Sequence, residues 1–183
     1  MNEESFRRFS LHPFPGTGGT DGVTVGGGIG RSAGMLTVSF EISGDIGDIA
    51  LPAPAAFPQR KDGLWEKTCL ELFIAPDSSH GYWEFNFSPS GHWNVYRFDE
   101  YRRGMRPEEA FHSPDLIADT GAAAFMLTAA ISLDRIAAAE QPLDAGISAV
   151  LKRRGGDRSF WALKHCGPRP DFHIRESFII RLR

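Results

Sequence analysis

The chain has 183 residues, 42% of them hydrophobic, with a formal net charge of -3 and a pI near 6.1. That length and apolar content fit one domain with a real core and exclude a disordered chain. The acidic balance leaves no basic surplus for nucleic acid, and no apolar run approaches the ~20 residues needed to span a membrane. The opening Met-Asn-Glu-Glu-Ser-Phe-Arg-Arg has no apolar stretch behind its charges. The expectation is therefore a cytoplasmic protein without a secretory signal, in which Cys69 and Cys166 are free thiols.

Residues 13–34 are rich in Gly and Pro, and Val23 and Val25 mark one short strand before a glycine-rich turn. From Met35 to Ile42, Leu36, Val38, Phe40 and Ile42 alternate with polar residues, the period of a half-buried strand. Pro52, Pro54 and Pro58 make 43–64 an irregular loop. Between Phe57 and Tyr101, a quarter of the chain, lie 11 of the 21 aromatic residues, so the core is expected to be richest there. Three strands are predicted in this stretch, Thr68–Ala75, Tyr82–Ser88 and Trp93–Asp99, joined by short turns into an antiparallel meander. Further strands are predicted at Phe125–Ser132, Gly146–Lys152, Phe160–His165 and Ser177–Arg183. One helix is predicted, Arg135–Glu140, opened by Asp134 and stopped before Pro142. The whole reads as an all-β, two-sheet antiparallel sandwich of jelly-roll type, in a single domain over 1–183, with one short helix.

Alternation assigns the meander's faces. Trp83, Phe85 and Phe87 share one face of the second strand and must be core, since exposing each ring would forfeit ~1.5–3 kcal/mol. Tyr82, Glu84, Asn86 and Ser88 share the other. In the first hairpin the arithmetic places Glu71 opposite Asn86 and Phe73 opposite Glu84. In the second, pairing Ser88 with Trp93 sets Asn86 against Val95, Glu84 against Arg97 and Phe85 against Tyr96, joining aromatic to aromatic and carboxylate to guanidinium. One face would then carry Glu71, Glu84, Asn86, Trp93 and Arg97. Acids and amides take paired hydroxyls and an indole stacks on the apolar side of a sugar ring, so the patch suits a polyhydroxylated ligand. The bland alternative is a solvated outer face with a surface Glu84–Arg97 pair worth ~0–1 kcal/mol.

Other motifs are weaker. The run Gly26–Gly34 lacks a Gly-Lys-Ser/Thr ending and has Ala33 where the dinucleotide pattern needs glycine, so a turn is expected. Histidines 12, 80, 92, 112, 165 and 173 show no metal-type spacing, and no cofactor or metal is expected. Glu71 and Glu84 are the minimum equipment of a glycosidase, although an Arg97 partner would hold Glu84 ionised and make it a poor proton donor. Trp65 and Trp93 lie at strand entrances, where a ring is readily half exposed; Trp161 can be read either way.

The strings 62–74 (DGLWEKTCLELFI), 83–98 (WEFNFSPSGHWNVYRF), 101–105 (YRRGM) and 160–165 (FWALKH) with 170–173 (PDFH) resemble bacterial DOMON-like proteins. These are similar in turn to family 9 carbohydrate-binding modules. The resemblance runs from about Leu11 to Leu182 and implies a β-sandwich with a sugar held by aromatic side chains on one face. By matching strings it implies Trp65, Glu71, Glu84, Asn86, Trp93, Arg97 and Trp161 as ligand contacts. The leading expectation is a non-catalytic domain binding a small sugar or sugar-containing metabolite. The alternatives are a carbohydrate-active enzyme using Glu71 or Glu84, a haem-binding DOMON domain with Met and His ligands, and an interaction domain without a small ligand. If the meander face is only scaffold, the next candidates are Trp161, His165 and His173.

Overall fold

A computed structural model describes residues 6–18, 21–138 and 140–183. Its strands are β1 (Phe6–Pro13), β2 (Val23–Ser32), β3 (Met35–Gly44), β4 (Cys69–Pro76), β5 (Tyr82–Phe87), β6 (Trp93–Phe98), β7 (Arg106–Pro107), β8 (Asp115–Thr120), β9 (Ala124–Ser132), β10 (Leu143–Lys152), β11 (Arg158–Ala162) and β12 (Ile180–Leu182). The fold is all-β, with about half the residues in strands. The expected pair of separate sheets is instead one curled antiparallel path, β7-β6-β5-β4-β10-β11-β1-β2-β3-β9-β8, with β12 on β10. The joint is β1. Residues Phe6–Leu11 pair with β2, while His12 and Pro13 pair with Ala162 and Trp161 of β11.

The curl brings two halves face to face. Leu36, Val38, Phe40 and Ile42 of β3 point inward, as their alternation requires, and meet Leu70, Leu72 and Ile74 of β4 and the Trp83, Phe85, Phe87 row of β5 in one core. The Phe40 and Phe87 rings, 6.5 Å apart, join the halves.

Most of the glycine run is strand: Gly26–Ser32 belong to β2, and only Ala33–Gly34 form the expected turn. The space a side chain would take is filled by both neighbouring strands: a Cβ on Gly27 would strike the Ser39 carbonyl of β3 at 1.8 Å and lie 2.9 Å from Cζ of the buried Phe9 of β1, and one on Gly28 would lie 2.1 Å from Cε1 of the half-exposed Phe6. Glycine lets the neighbouring chain and its rings lie directly on the backbone. β1, β7 and β8 carry no clean alternation in the sequence and were not expected. The predicted helix Arg135–Glu140 is a single turn instead, with Ile136 and Ala137 both donating to the Leu133 carbonyl; Ala139 lies outside the described residues. The buried Arg31 donates to the carbonyls of Ala138 and Gln141, taking acceptors a longer helix would use for itself. Cys69 and Cys166 are unbridged. No helix among the described residues is long and apolar enough to cross a membrane.

Candidate functional site

Strand β5 is buried on both faces along its whole length. Its inner row is the core just described. Its outer row, Tyr82, Glu84 and Asn86, continues across the sheet with Cys69, Glu71 and Phe73 of β4, Asn94, Tyr96 and Phe98 of β6, Ser148 and Val150 of β10, and Phe160 of β11. A sheet buried twice needs a cover, and two segments supply it. The turn around Trp65 sits over β6, its indole edge-on to Tyr96 at 5.7 Å. The segment between β11 and β12 packs Phe172, His173 and Phe178 onto Phe73, Tyr82 and Phe98. Gly146 makes room for this, since a Cβ there would lie 2.6 Å from the Phe178 ring. Between the two covers a cleft of about 390 Å³ remains open, floored by Glu71 and Glu84 and walled by Trp65, Phe98, Phe160, Phe172, His173 and Arg102. That volume falls in the range of small-molecule sites, ~300–1,000 Å³.

The first hairpin has the expected register, Glu71 opposite Asn86 and Phe73 opposite Glu84. The second is displaced by one residue: Phe87, not Ser88, pairs with Trp93, so Glu84 faces Tyr96 and Trp83 faces Arg97. The cause lies in the turn. Ser88 closes the hairpin on His92, donating its N–H to the His92 carbonyl at 2.8 Å and accepting from the Gly91 N–H at 2.9 Å, while its hydroxyl bonds Ser90 and Gly91 takes a left-handed φ of 86°. The turn is therefore the tighter Pro89–Gly91 instead of Pro89–His92, and a one-residue slip exchanges the faces of a strand. Trp93 and Arg97 therefore leave the Glu84 face. Trp93 is buried in the core against Phe111, with Arg60 4.5 Å from its ring centre. Arg97 is exposed, 5.1 Å from the Trp83 ring. Trp161 also points inward, buried, with Nε1 donating to Ser159. Asn86 shares the face but lies wholly beneath the cleft floor, its Nδ2 donating to Glu84 Oε1 at 2.8 Å and its Oδ1 accepting from the Cys69 thiol at 3.4 Å. Of the seven expected contacts, Trp65, Glu71 and Glu84 line the cleft.

The two carboxyls carry the electrostatics. Glu71 is 3% exposed and accepts one hydrogen bond, from the Ser148 hydroxyl to Oε2 at 2.9 Å. Glu84 is 5% exposed and accepts from Asn86. Burial, and for Glu71 the neighbouring Glu84, disfavours the ionised forms and pushes the pair up to about 8 for Glu71 and about 7 for Glu84. The cation with most influence on both is Arg102, and it is already engaged by Asp171 at 3.0 Å.

Arg102 and Asp171 belong to the network that closes the cleft. Arg102 has a left-handed φ of 53° in the β6–β7 turn, which aims its backbone N–H at the Tyr82 hydroxyl. Asp171 accepts from Tyr101, from Arg102 and from the His173 N–H, and these bonds hold its carboxyl low despite burial. His173 lies among the Phe73, Tyr82 and Phe98 rings, its Nδ1 2.8 Å from the Tyr82 hydroxyl and its Nε2 3.9 Å from Glu84. Burial pushes it down to about 4, so it is neutral at physiological pH. Met105 lines the same cleft, which gathers the residue types of a haem pair, but Nδ1 of His173 is held by Tyr82 and Nε2 is directed towards Glu84. Periodicity could not single out Arg102 or His173, because both lie in turns; the strings 101–105 and 170–173 were the available signal. His165, the other fallback, bonds the His12 carbonyl beside β1.

A curled antiparallel sheet with a polar cleft on the outer face of one half defines the class. No known family model matches the chain, and no curated protein matches it in sequence. Among solved structures it is similar to a Bacteroides uniformis protein described as a "putative carbohydrate-binding protein", with a TM-score of 0.69, 12% identity, and 97% of this chain and 85% of that one covered. It is also similar to a family 9 carbohydrate-binding module from Caldicellulosiruptor kristjanssonii in complex with glucose, with a TM-score of 0.52, 10% identity, and 94% and 82% covered. At these identities the likeness is one of fold.

Proposed function

We propose that the chain is a carbohydrate-binding domain that takes a small sugar or sugar-containing metabolite in the cleft above Glu71 and Glu84. The observation that carries this reading is the cleft's construction: two buried carboxyls as floor and aromatic rings as walls. Carboxylate oxygens accept from vicinal hydroxyls, while Trp65, Phe160 and Phe172 offer flat apolar surface to the C–H face of a pyranose. Arg102 at the rim supplies N–H donors to ring or hydroxyl oxygens. The glucose-bound module of the same fold and the DOMON-like strings support the same reading.

Titration calorimetry with a panel of hexoses, pentoses and short β-linked oligosaccharides tests it. Wild type should bind at least one at submillimolar Kd, and Trp65→Ala should weaken that ligand about tenfold with the melting temperature nearly unchanged. A panel in which nothing binds up to 10 times that range, or a Trp65→Ala variant that binds as wild type, overturns the proposal.

One observation favours a second reading. Two carboxyls on one cleft floor, both pushed above the ordinary carboxylate range by burial, are the minimum equipment of a glycosidase, one as acid and the other as its partner. Release of nitrophenol from aryl glycosides, abolished by Glu71→Gln, would establish it.

A further inference from the structure

We infer that the cleft recognises a sugar bearing a free, positively charged amine, an inference that rests on the carbohydrate reading above and narrows it. The starting point is an imbalance of charge. Two carboxyls share one buried floor, and among the described residues no cation is committed to them: Arg97 is turned to the opposite face by the register of β6, Arg102 is bonded to Asp171, and His173 is neutral. Each carboxyl receives a single neutral donor, Ser148 for Glu71 and Asn86 for Glu84, which leaves one oxygen of each without a hydrogen bond. The unbonded oxygen of Glu84, Oε2, has only the distant Nε2 of His173 nearby, at 3.9 Å.

A neutral hydroxyl satisfies one lone pair at a time and gives the protonated floor no reason to ionise. An ammonium satisfies both carboxyls, because its three N–H donors bridge two acceptors and its charge cancels one of theirs. A cation on the floor draws both carboxyls into the ionised form, and in a half-dry cleft that pair holds it far more strongly than it would hold a dipole. The walls agree with this. The aromatic faces that stack on a pyranose are also those that favour a cation close by. Acetylation of the amine removes both the charge and two of its donors, so an N-acetyl sugar presents nothing that these carboxyls need.

Proton accounting follows. The free floor retains a proton near pH 7, and an ammonium displaces it. Binding of the amine therefore releases a proton to solvent, whereas binding of a neutral sugar does not.

The test uses the full chain with glucose, its 2-, 3- and 6-amino derivatives, their N-acetyl forms, and cyclohexylammonium as a charged ring without hydroxyls. Titration calorimetry at pH 7 in two buffers of different ionisation enthalpy should show at least one amino sugar binding tenfold or more tighter than glucose, with proton release, and its N-acetyl form falling back to glucose or below. Affinity for the amine should rise from pH 5 to pH 7 as the floor ionises. Glu84→Gln and Glu71→Gln, with thermal melts confirming the fold, should each erase the preference for the amine over glucose, whatever they do to glucose itself. If glucose binds as tightly as every amino sugar, the charge inference fails and the carbohydrate reading stands. If cyclohexylammonium binds and no sugar competes with it, the carbohydrate reading fails and the charge inference loses the sugar it rests on. If the Gln variants keep the amine preference, the carboxyls are not its source and the inference is overturned.

Discussion

The two halves of the sheet share a core but differ in what their outer faces do. In the half built from β1, β2, β3, β9 and β8, the outer residues meet water: Ile117 is 73% exposed and Met126 48%. In the half built from β4, β5, β6, β10 and β11, the outer face is itself covered, by the Trp65 turn and the segment that runs from β11 to β12. A sheet needs only one buried face to be stable. The second cover is therefore not explained by the sandwich-like core, and polar residues beneath it cost free energy unless bonded. The glutamates are half bonded, which is why the covered half is where a ligand is sought.

The comparison can be broken most sharply through the core. Phe85→Ala, in the row shared by both halves, should destabilise by ~3–5 kcal/mol, whereas Met126→Ala on the bare outer face should stay within ~0.5 kcal/mol. Urea denaturation at pH 7 measures both; similar losses would mean that Met126 does not lie on a bare outer face.

The pH dependence of stability sharpens it next. Glu71 and Glu84 are raised from the ordinary carboxylic range to about 8 and about 7, so the folded state holds protons that the unfolded state has lost, and their contribution falls as pH rises from about 4.5 to about 8. His173, lowered to about 4, acts oppositely between about 4 and 6.5, where only the unfolded chain takes up its proton. Stability should thus decline gently up to pH 6.5, most steeply just below 7, and on the order of 1 kcal/mol per pH unit up to 8. A Glu71→Gln, Glu84→Gln double variant should lose the decline above pH 6.5. Denaturant midpoints at half-unit pH steps provide the check, and an unchanged slope in the double variant would contradict the assignment.

Asn86→Ala comes next in size. The side chain is a floor beam rather than a wall of the cleft, so its loss should destabilise by ~1–3 kcal/mol by leaving Glu84 Oε1 and the Cys69 thiol without their partner. The smallest effect expected is for Arg97→Ala. An exposed guanidinium over Trp83 should be worth under ~1 kcal/mol, with no change in the affinity of any cleft ligand. A tenfold loss of binding in Arg97→Ala would return that residue to the Glu84 face and refute the register.

Much of the covered half was legible in the sequence because period-two alternation is a local signal. Trp83, Phe85 and Phe87 could face only inward, and the short Pro76–Gly81 turn fixed the pairing of Glu71 with Asn86. The second hairpin differs by a single residue: Ser88 closes on His92 and not on Trp93, with left-handed Gly91 in the turn, and that difference sends Trp93 and Arg97 to the other face. Cross-strand preference misled here, since Glu84 opposite Arg97 looked right and the observed partner is Tyr96. Trp161 has no such error behind it; its face is set by pairing with Ala149 of β10, twelve positions away and invisible to local pattern. The glycine run misled for the converse reason, because strands whose bulk is lent by a neighbour carry no alternation of their own.

Strand β1 gives the molecule a particular order of assembly. It touches β2 within about twenty residues, yet its last two residues find their partners at Ala162 and Trp161, and β4 must wait for β10 in the same way. The β2–β3 hairpin and the β4–β6 meander can form as the chain leaves the ribosome, but the sheet cannot close until nearly all of it has been made. Such long-range closure slows folding. Until then the free edges of β4 and β1 are exposed to pairing with other chains, so expression at reduced temperature and low concentration should favour the soluble form.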